Sequence, residues 1–542
     1  MINLALYGSH NAALAVEIDG KVVLVTELER IVNEKNQGLS QYKTFKADDI
    51  LFYSKFLSKW VCDKFNVSEF DNVLYQNTDV NIGEEKFHLE KDFPAKTYIH
   101  CKHHHSHAAG AFYQSPYDKA LIFSFDGGGN DGFFNIYLAK RGKELQLLKQ
   151  ITHPASTSPH EYLDLGLPYM LFGHYLGEIR QEIDVSAGNL TYPGKMMGLA
   201  SYGNVREEWL EPLTKFFLTQ MNGLTYEKPL AILGDEIGLV FDSKNRINGK
   251  DGQDLAASVQ KAWEEVFLSY AKPFMKDWPD YPILITGGCA LNIILNTRIK
   301  EEFNKEVFIG PNPNDCGLAA GMLLNNIKPD EPADLTYSGL KLLDIDTISE
   351  YIQNAHYCVS SFLDNDKLVD DLVKGKIVGV ARGRSEHGPR ALGNRSVLCN
   401  PQIPNMKDIL NAKVKGREYY RPFAPVVRLE DVNKYFEFEG EARWMSFCPK
   451  VRKEYRDKLS EITHIDGTAR VQTITSEQNP WLYEILTKMD KETGIGVLLN
   501  TSFNVAGKPI LNTVRDAFDI FWRKELDALI IEDYYFRKRE SV

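Results

Sequence analysis

Short apolar runs separated by turn residues open the chain, and the pattern recurs further along it. Apolar residues over 3–7, 12–18 and 21–27 predict three strands, and Asp19-Gly20 predicts a two-residue hairpin turn between the last two. The same order of strand, glycine-bearing loop and hairpin returns over residues 121–150. This repetition predicts an internal duplication.

Helix and strand patterns continue beyond the repeat. Residues 254–270 have the spacing of an amphipathic helix, and 282–292 combine an apolar strand, a Gly-Gly turn and a helix start. Residues 327–345 begin polar and contain two prolines, which is typical of a domain boundary. We therefore expect an α/β protein with one domain over residues 1–340 and another over 350–542.

Composition narrows the class of protein. The chain has 542 residues, of which 43% are hydrophobic and 25% charged, and its net charge of −11 disfavours a surface that binds nucleic acid throughout. Seven cysteines are scattered without a C-x-x-C pair, which is typical of a reducing compartment. No signal peptide or membrane-spanning run is evident. We expect a cytoplasmic protein without membrane association; the oligomeric state stays open.

A run of histidines predicts a metal site. If residues 103–114 are helical, His103 and His107 project from one face, one turn apart. Asp126, at the end of an apolar strand, and Asp315, in a turn before a helix, can add carboxylate ligands. Such a mixed nitrogen and oxygen set suits Fe(II), with Mn(II) or Zn(II) as substitutes. The alternative is an accidental, solvated histidine cluster.

Arginines gather in the second domain. Four lie between Arg382 and Arg395, interleaved with glycine and proline, so they do not form a simple solvated helix face. Guanidinium groups bind phosphate through two parallel hydrogen bonds and stay charged when desolvated. The cluster predicts a phosphate site, and a set of structural ion pairs is the alternative.

Several motifs together resemble one family over nearly the whole chain. They lie at residues 103–108, 192–200, 287–292, 383–396, 464–472 and 500–504. In these motifs the chain resembles the O-carbamoyltransferases of antibiotic and nodulation-factor biosynthesis. The resemblance implies an actin-like (ASKHA) domain that binds metal and nucleotide, followed by a YrdC-like α/β domain.

The resemblance also implies a two-step reaction. The YrdC-like domain forms carbamoyl-adenylate from carbamoyl phosphate and ATP, which enters with Mg(II). The actin-like domain then transfers the carbamoyl group to an acceptor hydroxyl. Free carbamoyl-adenylate would hydrolyse, so we expect a dry passage between the two sites. The acceptor is expected to be a small molecule, and a hydroxymethylated DNA base stays open.

The family's site residues fall on matching positions here. For catalysis these are His10, Arg384 and Arg390. Nucleotide binding in the transfer domain is expected at Lys35, Gly127, Gly128, Gly129, Gly287, Gly288 and Asn292. Carbamoyl phosphate and ATP binding in the YrdC-like domain is expected at Arg384, Arg390, Arg395, Arg417, Arg421, His464, Arg470, Asn500, Ser502 and Asn504.

Two features depart from the family pattern. His10 is followed by Asn11 where the family usually has an aspartate, so the acid that would orient His10 is missing. Asp131, in a glycine-rich second loop, is a candidate for that acid. Two other functions remain alternatives: a transferase of the tRNA threonylcarbamoyl type, and a non-catalytic regulator that binds nucleotide and metal.

Overall fold

The computed structural model describes residues 1–39, 47–76, 81–82, 85–86, 89–152, 163–180, 189–218, 226–242, 244–353 and 358–539. The strands within this part of the chain are β1 (Ile2–Tyr7), β2 (Ala13–Ile18), β3 (Lys21–Glu27), β4 (Phe70–Gln76), β5 (Asn81–Ile82), β6 (Glu85–Lys86), β7 (Ala95–His100), β8 (Lys119–Gly129), β9 (Gly132–Lys140), β10 (Gln146–Ile151), β11 (Ile283–Thr286), β12 (Val307–Phe308), β13 (Cys358–Phe362), β14 (Val378–Ala381), β15 (Arg395–Cys399), β16 (Ala424–Arg428), β17 (Gln472–Ile474), β18 (Val497–Ser502), β19 (Ala528–Ile531) and β20 (Tyr534–Lys538).

The helices of the same residues are α1 (Leu28–Val32), α2 (Ala47–Phe65), α3 (Leu89–Asp92), α4 (His103–Gln114), α5 (Leu167–Tyr175), α6 (Tyr192–Ala200), α7 (Glu207–Leu218), α8 (Glu227–Ile237), α9 (Gly249–Asp277), α10 (Ile293–Phe303), α11 (Leu318–Ile327), α12 (Ile348–Gln353), α13 (Asn365–Val373), α14 (Met406–Ile409), α15 (Val432–Tyr435), α16 (Pro480–Thr493) and α17 (Val514–Arg523). A π-helical turn, Leu410–Lys415, follows α14 directly. None of these helices has the length and apolar character needed to cross a bilayer.

The chain divides into two compact units. The first unit contains Met1–Cys101, Asp315–Thr463 and Gly467–Val542, and the second contains Lys102–Asn314 and His464–Asp466. Three sheets belong to the first unit, in the strand orders β3-β2-β1-β4-β7, β13-β20-β19-β14-β15-β18-β16-β17 and β5-β6. The second unit contains the sheet β10-β9-β8-β11-β12.

The two five-stranded sheets confirm the predicted duplication. In each, three antiparallel strands that are consecutive in sequence are followed by two parallel additions beside the first of them. An identical order and direction of five strands is a detailed match between the halves. The α/β class, with a duplicated N-terminal half and a separate C-terminal sheet, is therefore confirmed.

Apolar residues on the strand faces build a core for each of the two large sheets of the first unit. Leu4 and Leu6 of β1 pack with Leu57 and Val61 of α2. In the eight-stranded sheet, Val378 of β14 lies in a cluster with residues of helices α13 and α16. Burial of these faces is the main favourable term that holds sheet and helix together.

Two elements extend beyond their predicted ends. The apolar run expected to end before the glycines continues as β8 through Gly129, which pairs with Gly132 after an irregularity in register. Helix α9 covers Gly249–Asp277, longer at both ends than predicted, and contains Pro273. In each case tertiary packing outweighs the local preferences of glycine and proline.

Candidate metal and phosphate sites

The two histidines four residues apart lie on helix α4, as predicted. His103 Nε2 and His107 Nε2 are 3.2 Å apart, and Asp126 Oδ2 is 3.4 Å from His107 Nε2 and 4.0 Å from His103 Nε2. Ligand atoms about 2.1 Å from one metal ion lie about 3–4 Å from each other. The three side chains therefore fit a metal ion, and their donor atoms are mutually within 4.8 Å.

The turn after β8 holds the start of this helix. Asn130 Oδ1 accepts from the His103 N–H at 2.9 Å, and the Asp131 carboxylate accepts from His104 N–H at 2.8 Å and His105 N–H at 3.2 Å. A carboxylate at a helix N-terminus also interacts favourably with the helix dipole. Asp131 thus serves the helix start, which does not support the alternative that it orients His10.

His104 is a structural residue between the two metal-ligand candidates. Its Nδ1 lies 2.8 Å from Ser124 Oγ, and its Nε2 lies 2.9 Å from the Gly132 carbonyl oxygen. Burial, together with the neighbouring imidazole of His103, lowers the pKa of His104 to about 3. The side chain is neutral at ordinary pH and connects the helix to the sheet.

Main-chain amides orient the Asp126 carboxylate. Its Oδ1 accepts from the Gly127 N–H at 2.7 Å and its Oδ2 from the Gly288 N–H at 2.6 Å. Burial opposes ionisation, but hydrogen bonds with His103 and His107 outweigh it and hold the Asp126 pKa well below its usual value. The carboxylate is therefore a fixed anion beside the imidazoles.

Two of the predicted nucleotide glycines, Gly129 and Gly288, pack closely against these ligands. A Cβ on Gly129 would lie 2.5 Å from His103 Cβ, and one on Gly288 would lie 2.9 Å from Asp126 Oδ1. Gly287 adopts a φ of +92°, and a Cβ there would lie 2.1 Å from the Phe125 carbonyl oxygen. Close packing alone therefore explains why glycine stands at these positions. Their contact with nucleotide stays a prediction.

Asn292 makes several contacts within the protein. Its Oδ1 accepts from the Leu295 N–H at 3.1 Å, which caps α10, and its Nδ2 donates to Gln260 Oε1 at 3.0 Å. Gln260 in turn donates to Glu264 at 2.8 Å. These bonds tie the start of α10 to α9, and the predicted nucleotide contact of Asn292 remains untested.

Asp315 belongs to the first unit, where it lies beside the loop of His10. The Tyr7 hydroxyl donates to Asp315 Oδ2 at 2.5 Å, and His10 Nδ1 is 3.3 Å from that same oxygen. Asn11 adopts a left-handed φ of +60°, which asparagine tolerates. The acid beside His10 is thus Asp315, which the sequence identified only as a ligand, and Tyr7 was missed.

The chain segment before Asp315 is fixed within the second unit. Gly287 N–H donates to the Pro313 carbonyl at 2.8 Å, and the adjacent Gly288 N–H binds Asp126.

The predicted phosphate site contains a cluster of like charges in the first unit. Burial, followed by the charge of Arg421, lowers the pKa of Arg390 to about 10 and that of Arg417 to about 9. Burial also lowers the pKa of Arg470, with Arg390, Arg417 and Arg421 contributing. These arginines therefore lie near one another, and each is partly buried. This arrangement suits a bound anion.

Acidic partners are few around this cluster. Glu418 lies 3.6 Å from Arg421 Nη1. Among the described residues, Arg390 and Arg470 form no ion pair. The structural ion-pair alternative therefore does not describe these two arginines.

Lys415 joins the cluster and was missed in the sequence. Its Nζ donates to the Ser502 carbonyl at 2.5 Å, to Asn504 Oδ1 at 2.6 Å and to the Asn504 carbonyl at 3.0 Å. Burial lowers the Lys415 pKa well below its usual value, and the charges of Arg417, Arg421 and Lys35 lower it further. The sequence feature that could have identified Lys415 is its position two residues before Arg417, a predicted phosphate ligand.

Two predicted phosphate ligands instead bind main-chain carbonyls. Arg395 is fully buried and donates to the carbonyls of Arg382, Asn394, Gly383 and Leu340 and to Asn512 Oδ1. Arg384 donates to the carbonyls of Gly339, Val23 and Ser338. These bonds give both guanidinium groups a structural role, and their phosphate contacts remain predictions.

The remaining predicted residues divide between the units. Asn500 Nδ2 donates to Gln472 Oε1 at 2.7 Å and to the Ala391 carbonyl at 3.1 Å. Ser502 Oγ donates to Asn504 Oδ1 at 2.7 Å. His464 belongs to the second unit, where its Nδ1 is 3.8 Å from Asp466 Oδ1.

Comparison with known proteins assigns the family. The carbamoyltransferase N-terminus model matches residues 7–324 and the carbamoyltransferase C-terminus model matches residues 369–538. The chain therefore belongs to the carbamoyltransferase family, and it is an enzyme of that class.

Individual relatives agree with this assignment. Nodulation protein NolO of Bradyrhizobium diazoefficiens is 32% identical over 81% of this chain and 79% of its own length. A 3'-hydroxymethylcephem-O-carbamoyltransferase of Amycolatopsis lactamdurans is 33% identical over 70% of this chain and 75% of its own. Nodulation protein NolNO of Sinorhizobium fredii is 29% identical over 98% of this chain and 79% of its own.

Proposed function

We propose that the protein is an ATP-dependent O-carbamoyltransferase that works in two half-reactions. Carbamoyl phosphate, ATP and water give carbamoyl-adenylate, pyrophosphate and phosphate. Transfer of the carbamoyl group to an acceptor hydroxyl then releases AMP. The observation that carries the proposal is the pair of sites with opposite character: one collects cationic groups and the other collects acceptor atoms.

Adenylation is assigned to the cationic cluster in residues 350–542. Arg390, Arg417 and Arg470 would bind the phosphate oxygens of ATP and carbamoyl phosphate. Their lowered pKa values indicate that these charges are poorly compensated within the protein. Both substrates are polyanions, so binding relieves this repulsion between like charges.

The transfer step is assigned to residues 1–340 and to the histidine site. His103, His107 and Asp126 would hold the metal ion, with Asp315 as the fourth ligand. The nitrogen and oxygen donors suit Fe(II), and Mn(II) or Zn(II) are substitutes. A bound divalent ion would polarise the carbamoyl oxygen as a Lewis acid.

His10 would act as the general base on the acceptor. Its side chain is half exposed, so an acceptor hydroxyl can reach the ring. Asp315, 3.3 Å from Nδ1, would orient the imidazole, which leaves Nε2 to take the hydroxyl proton. The acceptor oxygen then attacks the carbamoyl carbon, and the bond to AMP breaks.

The acceptor is proposed to be a small molecule with a hydroxyl group. One relative is a 3'-hydroxymethylcephem-O-carbamoyltransferase, and other relatives are nodulation proteins. The net charge of −11 also disfavours a nucleic-acid acceptor.

Pyrophosphate release tests the proposal without knowledge of the acceptor. The purified protein is incubated with ATP, Mg(II) and carbamoyl phosphate, and pyrophosphate is measured with and without carbamoyl phosphate. We expect release that depends on carbamoyl phosphate. A non-catalytic regulator gives no pyrophosphate. Release that requires threonine and bicarbonate in place of carbamoyl phosphate would instead support the threonylcarbamoyl alternative.

A further inference from the structure

Two charged residues at the end of the first hairpin hold one glycine of the C-terminal domain. Gly388 N–H donates to Glu27 Oε1 at 2.9 Å, and the Gly388 carbonyl accepts from Arg30 Nη2 at 2.7 Å. Arg30 Nε is 3.7 Å from Glu27 Oε2, and the two side chains are almost wholly buried. We refer to Glu27, Arg30 and Gly388 as the Gly388 clamp.

The clamp acts on the loop that carries Arg390. One end of this loop is closed by Glu386, whose Oε1 accepts from the main-chain N–H groups of Leu392 at 2.6 Å, Asn394 at 2.8 Å and Arg395 at 3.1 Å. Within the loop so closed, Gly388 is two residues from Arg390. The clamp therefore fixes the part of the loop that Glu386 does not reach.

The geometry of Gly388 makes this contact specific. Its φ of +119° lies in a region that other residues avoid, so the loop needs glycine here. Its N–H and its carbonyl bind the acidic and basic members of one ion pair. A shift of this peptide would break both hydrogen bonds in a place that water does not reach, which is costly.

We propose that Glu27 and Arg30 are positioning residues for carbamoyl phosphate: by clamping Gly388 they hold Arg390 where it can bind the phosphate group. This inference rests on the proposed function, which places Arg390 in the adenylation site. Neither residue touches substrate. They belong to the duplicated N-terminal half, so the first half-reaction depends on residues outside the C-terminal domain.

The test uses Arg30→Met, which removes the donor to the Gly388 carbonyl while keeping a long side chain. Burial already raises the Glu27 pKa, so this carboxyl can become protonated when its partner is removed, and the variant should fold. Arg30→Lys is the conservative variant, because an ammonium group can donate to one carbonyl. Glu17→Gln is the matched control. It changes another buried glutamate of the same sheet, bonded to the Gly20 N–H.

Pyrophosphate release is measured against carbamoyl phosphate concentration for all variants. We expect Arg30→Met to raise KM for carbamoyl phosphate by about 10-fold or more, with a smaller change in kcat, since a misplaced Arg390 loses a charge-assisted contact. Arg30→Lys should recover most of the affinity, and Glu17→Gln should keep the wild-type KM.

The outcomes separate this inference from the proposed function. A wild-type KM in Arg30→Met, beside loss of activity in Arg390→Ala, overturns the clamp and leaves the function intact. An equal rise of KM in Glu17→Gln also overturns the clamp, because it would show a general loss of packing. If the wild-type protein releases no pyrophosphate with carbamoyl phosphate, both proposals fail.

Discussion

The histidine site and the arginine cluster have opposite electrostatic character. At the histidine site, acceptor atoms of His103, His107 and Asp126 converge, and main-chain amides fix the carboxylate. At the arginine cluster, the like charges of Arg390 and Arg470 lie close enough to interact, and burial lowers the pKa of each. The first arrangement suits a cation and the second suits a polyanion.

The comparison shows how a chain of net charge −11 can still contain a cationic site. The positive charges are concentrated where few carboxylates balance them. The local electrostatic potential is therefore positive, although the protein as a whole carries a negative charge. Under the proposed function, the metal ligands and the phosphate ligands lie on separate elements, so one substitution should remove one half-reaction and leave the other. The predictions below use that separation.

The largest effect is expected for His10→Asn. The variant should keep pyrophosphate release but lose carbamoyl transfer by about 10²–10⁴-fold, since asparagine cannot accept the hydroxyl proton. Both half-reactions are measured, with a hydroxymethylcephem as the trial acceptor for transfer. Equal loss of the two activities would show that His10 does not act specifically in carbamoyl transfer.

A smaller but still large effect is expected at Arg390. Replacement by lysine should reduce carbamoyl phosphate-dependent pyrophosphate release by about 10- to 150-fold, because an ammonium group cannot make the paired hydrogen bonds of guanidinium. Arg428→Lys is the matched control, because Arg428 is held by Asp431 and Asp490. Full activity in Arg390→Lys would show that this position needs only charge.

A moderate effect on stability and metal binding is expected from a substitution at the start of helix α4. Asp131→Ala removes the acceptor for two N–H groups of α4 and should cost about 1 kcal/mol of unfolding free energy. It should also weaken metal binding, measured by competition with a chelator. Asp242→Ala, at a turn in the same unit, is the control. Unchanged stability and metal affinity would mean that the cap does not position the ligands.

The smallest effect is expected for Asn11→Asp. The sequence suggested that an acid at this position would improve His10, but Asp315 already lies 3.3 Å from His10 Nδ1. We therefore expect transfer to change by about twofold or less, as for an ordinary surface substitution. A rise of about tenfold would show that Asp315 does not orient the imidazole.

Local patterns predicted much of the molecule. The hairpin turn at Asp19-Gly20, the duplication and the helical position of the histidine pair all depend on local sequence patterns, and all three were predicted correctly. The arginines were recognised as a set, but sequence could not separate Arg390 from Arg395, which binds carbonyls up to 55 residues away. Tyr7 and Lys415 were missed because their partners lie 308 and up to 89 residues along the chain.

The central claim is that the two half-reactions use separate sites, and His107→Ala tests it most directly. The variant is expected to fold, to be metal-poor by elemental analysis, and to keep wild-type pyrophosphate release from ATP and carbamoyl phosphate. Arg390→Ala, assayed beside it, should keep its metal and lose that release. Loss of pyrophosphate release in His107→Ala as complete as in Arg390→Ala, or normal metal content in His107→Ala, would contradict the account.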